Sequence, residues 1–176
     1  FPAETEKLKN KPEVARAFAL ARDASLRVNK ERPFDVQVMG AVALHDFFKK
    51  IGHDNFVNYI PLRNEEGFGL NKEAIKSLAK EDVKIIITID CGITDVAEVD
   101  LANRNKIDVI VTDHHLSGKK LPKACAIINP KQKGCKYPDK MLCGSGVIFK
   151  VIQALIKSGK VEWKEGQEKW LLDMVG

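Results

Sequence analysis

Two apolar, β-branched runs, Lys84–Ile89 (KIIITI) and Ile107–Thr112 (IDVIVT), each stop at an aspartate, with a helix-length segment between them. Such runs belong to strands covered on both faces of a parallel sheet, and parallel neighbours need a crossover of a dozen residues or more. Thr94 suits the cap of a crossover helix from Asp95 to about Asn105, so the segment reads as a βαβ unit. Ala124–Asn129, before Pro130, reads as a further short strand. This alternation predicts an α/β fold, doubly wound, with a mainly parallel sheet, helices on both faces and right-handed crossovers.

Around this centre the spacing predicts helices over Pro12–Ser25, Gly40–Ile51, Lys72–Lys80 behind an Asn71 cap, and a strongly amphipathic stretch carrying Val147, Ile148, Val151, Ile152, Leu155 and Ile156 that Gly159 closes. Asn55–Ile60, stopped by Pro61, reads as a strand, and a last helix is expected over Gln167–Val175. A chain of 176 residues, 44% apolar and 30% charged, can bury a core and is not disordered in the main. The expected organisation is an amino-terminal helical extension, 1–30, followed by the α/β domain, 31–176.

No apolar run approaches the roughly 20 residues of a membrane span, and Phe1–Lys11 lacks a signal-peptide core. A soluble, cytoplasmic protein with no membrane partner is expected. Cys91, Cys125, Cys135 and Cys143 follow no zinc-finger or ribbon spacing and read as reduced thiols. The net charge is +5, and from Lys106 to Lys160 eleven lysines face only Asp108, Asp113 and Asp139. Such a surface attracts polyanions, although a solvated lysine face explains it equally well.

In an open parallel sheet, functional groups collect at the carboxyl ends of the strands, where Asp90 and the cluster Asp113, His114, His115 both fall. Neighbouring strands lie about 4.8 Å apart, so a carboxylate from one and an imidazole from the other could share a cation. Adjacent side chains of extended backbone point apart, which predicts separate tasks for His114 and His115, one on a metal and one on a phosphate. Asp113 could accept a ring N–H and fix a tautomer. Carboxylate and imidazole ligands suit Mn²⁺ or Mg²⁺, and a pair of such ions is a recurring device for phosphodiester cleavage. Arg63 could grip a phosphate, or pair with Glu65 or Glu66 as a solvated loop residue; Gly144, Ser145 and Gly146 could bind an anion at a helix start, or Ser145 could simply cap it.

Thr112-Asp113-His114-His115 resembles the name-giving motif of the DHH phosphoesterases, and within them the chain is most similar to the RecJ-like single-strand-specific exonucleases. Ile89-Asp90-Cys91-Gly92-Ile93 resembles the family's second motif. The loop Pro61–Gly69, the stretch Leu121–Pro130 and Gly144–Lys150 extend the likeness, which covers about Val38 to Gly176. The resemblance implies a 5′-to-3′ single-stranded-DNA exonuclease of DNA repair and recombination, working through two Mn²⁺ or Mg²⁺ ions. It implies Asp90 as the bridging ligand, His114 as a metal ligand, His115 as the residue on the scissile phosphate and Asp113 as a supporting carboxylate. The implied partners are single-stranded DNA and, as recruiter, a single-strand-binding protein or a replication or repair complex.

The likeness breaks at the family's first motif, a glycine, three alternating aspartates and a second glycine. Phe34–Val38 keeps only Asp35, at the middle aspartate, with Pro33 and Gln37 at the other two and no apolar strand leading in. An amide cannot supply a carboxylate's charge, so a second metal should be weakly held. The family's fourth motif and second domain would follow Gly176, and a weakly active or inactive catalytic fragment is expected. Two other functions stay open: a non-catalytic replication module on the DHH scaffold, and a DHH oligoribonuclease or pyrophosphatase acting on smaller substrates.

Overall fold

The computed structural model describes residues 35–61, 69–164, 166, 167, 169 and 171. The helices expected over Pro12–Ser25 and most of Gln167–Val175, the 1–30 extension, and Arg63 with its loop lie outside the described residues. The described chain runs α1 (Asp35–Lys50), α2 (Lys72–Lys80), β1 (Ile85–Ile89), α3 (Val96–Arg104), β2 (Asp108–Thr112), β3 (Ala126–Ile128) and α4 (Gly144–Lys157).

The three strands form a parallel sheet in the order β1-β2-β3. Ile85 pairs with Asp108 and Ile89 with Thr112, while Ile110 pairs with Ala126 and Thr112 with Ile128. The expected βαβ unit is therefore present, and strands β1 and β2 end level with each other. The register brings Asp90 and Asp113 to one edge of the sheet.

Alternation along the strands sends side chains to two opposite faces. Ile86 of β1 with Val109 and Val111 of β2 packs against Ile75 of α2 and Val99 and Ala102 of α3. Ile87 and Ile89 turn the other way, onto a cluster built by Ala43, Leu44 and Phe47 of α1 and Ile148, Phe149 and Ile152 of α4. Helices cover both faces, as the sequence predicts. Gly40 lets α1 come this close, since a Cβ there would stand 3.0 Å from the Ile89 side chain and 3.4 Å from the Ser145 backbone.

Several boundaries differ from expectation. Asn55–Ile60 is not a strand: it makes no ladder, and Val57, Tyr59 and Ile60 are exposed. The segment has no described strand to pair with, and β-propensity alone does not hold an extended segment in a sheet. Helix α1 spans Asp35–Lys50 and so includes five residues before the expected start. β1 is also less covered than expected, with Ile85 54% exposed, because among the described residues β1 pairs with β2 alone.

Candidate metal centre

Asp90 is the residue at which β1 stops. Its backbone N–H donates to the Thr112 carbonyl at 2.9 Å, extending the β1–β2 pairing by one bond, and its φ of +62° then turns the chain into the left-handed region. A non-glycine residue held there costs energy that surrounding structure must offset, and such residues gather at functional sites. Gly92, at φ +104°, completes the turn. The Thr88 hydroxyl donates to the Cys91 carbonyl at 2.8 Å and locks it from the strand side.

The turn places the Asp90 carboxylate inside the protein, 8% exposed, against the start of α4. Gly144 is required there, since a Cβ on it would collide with the carboxylate. The α4 N-terminus, with its free amides and positive dipole end, thus abuts a buried anion. Ser145 does not cap this helix: the N-cap is Cys143, without a side-chain cap bond, and the buried Ser145 hydroxyl lies 3.2 Å from Cys143 Sγ. Gly146 too is buried, under the Leu142 side chain.

Asp113 ends β2 and is 1% exposed. Its Oδ1 accepts the backbone N–H groups of His114 at 2.7 Å and His115 at 3.1 Å, and Oδ2 accepts that of Ile93 at 3.0 Å. His115 Nδ1 lies 2.6 Å from the same Oδ1. A carboxylate can only accept, so Nδ1 carries the proton and Nε2 is left with a free lone pair. The Asp113 carboxylate is thus occupied by two backbone amides from its own bend, a third from Ile93, and the His115 ring.

The two histidines do not point apart. Strand geometry ends at Thr112, and the bend that follows brings the rings to 4.6 Å between centroids. The extended backbone assumed for residues 113–115 is absent because Asp113 Oδ1 gathers both following amides. His114 Nε2 stands 3.0 Å from Asp90 Oδ1, yet that oxygen is buried and accepts no hydrogen bond. One nitrogen from each ring and a carboxylate oxygen of Asp90 lie within 4.8 Å of one another. Converging lone pairs, one on a buried oxygen with nothing to satisfy it, fit a divalent cation. Asp90 and His114 are brought together, and His115 stands beside them, not pointing apart from His114 as expected; the side chain of Asp35 and the whole of Arg63 lie outside the described ones.

Two groups beside the centre, Asp95 half-buried and Asn129 buried, were not singled out from sequence. Asp95 does not cap α3 with its carboxylate, and Thr94 does not cap it either. Instead Asp95 Oδ2 accepts the Leu70 N–H at 2.6 Å, Thr94 donates to Oδ1 at 3.3 Å, and Gly69, at φ +86°, leaves room for the carboxylate. Burial raises the Asp95 pKa above the ordinary carboxyl value, against the lowering effect of the Leu70 bond. Cys91 is pushed up to about 12, first by burial and then by the negative charge of Asp95 and Asp113, so it stays a thiol. The other omission is Asn129, 2% exposed, at the end of β3.

The model of the DHH family, N-terminal domain, matches residues 34–175. This chain belongs to the DHH family. Within DHH proteins it is 39% identical over 138 residues to the single-stranded-DNA-specific exonuclease RecJ of Bacillus subtilis strain 168, covering 78% of this chain and 17% of that protein. A crystal structure of exonuclease RecJ bound to manganese superimposes with a TM-score of 0.62 at 32% identity, over 70% of this chain and 31% of that one. The chain thus spans under a fifth of the length of the curated DHH relative.

A second likeness covers the other end. The SecA DEAD-like domain model matches residues 3–49, and 29 residues, 16% of this chain and 3% of the relative, are 72% identical to protein translocase subunit SecA 1 of Mycolicibacterium paratuberculosis. The two family matches overlap at 34–49, where Asp35 lies.

Proposed function

We propose that this chain carries the metal-binding core of a RecJ-like exonuclease that hydrolyses single-stranded DNA from the 5′ end, in repair and recombination, with Mn²⁺ or Mg²⁺ as cofactor. The observation that carries the reading is the buried, unsatisfied Asp90 Oδ1 converging with His114 and His115. A divalent ion bound there would lower the pKa of a coordinated water and neutralise phosphate charge. Asp90 and His114 would hold it. His115, its Nδ1–H anchored on Asp113, offers Nε2 to metal or scissile phosphate, and the amides of Gly144, Ser145 and Gly146 at the start of α4 supply an anion-favouring end beside it.

Lys131, Lys133 and Lys136 lie in the loop after β3, at the same end of the sheet, and none of them is ion-paired with a carboxylate among the described residues. They suit a nucleic-acid backbone approaching the site. Arg63 would add a bidentate phosphate grip, and recruitment by a single-strand-binding protein would belong to the longer relatives' context.

Activity of this chain is expected to be weak, because Pro33 and Gln37 stand where the first motif carries two of the carboxylates a second ion needs. The SecA-like stretch where that motif would stand favours, as a second reading, a scaffold that binds without cutting. Incubation of the chain with Mn²⁺ and long single-stranded DNA, dinucleotides or pyrophosphate tests the assignment. Slow, single-strand-selective release of mononucleotides is expected, with DNA affinity falling as salt rises. Preference for pyrophosphate, or salt-independent DNA binding, would contradict it.

A further inference from the structure

The bend that carries His115 is held on one side only by Asp113. That residue takes the His115 N–H at 3.1 Å and its ring Nδ1 at 2.6 Å. On the carboxyl side the chain has little to hold it: Leu116 is 77% exposed, and a Cβ on Gly118 would meet only the Lys120 carbonyl, at 3.9 Å. One buried group reaches across. Asn129 Nδ2 donates to the His115 carbonyl at 2.9 Å, while its Oδ1 accepts the Lys131 N–H at 2.8 Å.

Both ends of this amide are used, and the residue is itself rigidly placed. It follows directly on β3, whose last residue, Ile128, accepts the Asp113 N–H at 3.1 Å. The Asn129 carbonyl accepts the Gln132 N–H at 3.3 Å, closing the turn. A buried amide left without partners costs about 1–3 kcal/mol, so its position is set by these bonds. His115 is thereby held at three points, its ring by Nδ1 and its main chain by N–H and carbonyl, from the ends of two adjacent strands.

We propose that Asn129 is a positioning residue for the metal centre, acting through the His115 main chain to hold the imidazole in one tautomer and one place; this rests on the reading of the centre given above. Its chemistry is specific. A donor is needed toward His115 and an acceptor toward Lys131, which an amide supplies at once; a carboxylate has no donor, and a single hydroxyl cannot span both partners. Asn129→Asp keeps the shape and the acceptor but loses the donor. Asn129→Ser, uncharged, can still accept the Lys131 N–H but falls short of His115.

The test uses the full chain. In the metal-free native protein, nitrogen NMR of the imidazoles should show His115 as a single Nδ1-protonated tautomer; a mixture of tautomers in the native protein would overturn the proposal. Both variants should stay folded with a lowered melting temperature, lose the single tautomer at His115 while His45 keeps its native signals, and lose about 10–100-fold in Mn²⁺ affinity. Where turnover is measurable, kcat should fall with KM for DNA unchanged. Folded variants with native His115 signals and unchanged Mn²⁺ affinity would overturn the role of Asn129. A native chain that binds no Mn²⁺ would instead defeat the metal reading, leaving the imidazole signals to decide on Asn129.

Discussion

The polar residues around Asp90 divide into those that are satisfied and one that is not. Asp113 spends both oxygens on backbone amides and His115, and Asp95 spends its oxygens on Leu70 and Thr94. Asp90 Oδ1 alone faces imidazole nitrogen without a hydrogen bond. Cys91, beside it, should be inert: alkylation at pH 8 is expected to label exposed Cys125 and spare Cys91, whose thiol is held at about 12. Rapid labelling of native Cys91 would show that the turn is not buried. Asp95 gives a pH signature. Its pKa is higher in the folded than in the unfolded chain, so its contribution to stability is largest at low pH and falls as pH rises through the raised value. Asp95→Asn should remove that decline from the melting temperature measured between about pH 3.5 and 7. An unchanged pH profile would contradict the assignment.

At the scale of elements, the sequence showed what depends on local pattern. The runs ending at Asp90 and Asp113 are strands because their branched apolar residues are covered on the sheet, and α4 is a helix because its apolar stripe meets α1. What it did not show depends on distant partners. Residues 55–60 carry residues of high strand propensity but have no described strand beside them, and the bend at residues 113–115 is imposed by the Asp113 carboxylate, not by local propensity. Gly144 looked like an anion-binding start of a helix; its closest constraint is the Asp90 carboxylate, which only the fold brings near. Asn129 was visible only as the last residue of an expected strand before Pro130, within a stretch of the family likeness. The α1–α4 contact carries the stability of this face. Ile152→Ala, at a fully buried position, should cost about 2–5 kcal/mol in chemical denaturation. A cost near zero would mean that α4 does not pack there.

For the whole molecule, family membership and metal chemistry come from different parts of the chain than the amino-terminal likeness does. The DHH match carries β1, β2, β3 and α4, where every residue of the candidate centre lies. The SecA-like match ends at residue 49, and the helix it includes packs on the rear of the sheet through Leu44 and Phe47. Lysines around the carboxyl end of the sheet give the same part of the molecule its positive face. The central claim is that Asp90 and His114, with His115, hold a divalent ion. Titration calorimetry of the chain with Mn²⁺, beside Asp90→Asn and His114→Gln, tests it most directly. Saturable binding by the native protein that either substitution abolishes is the predicted result; equal binding by all three, or none by the native chain, would contradict it.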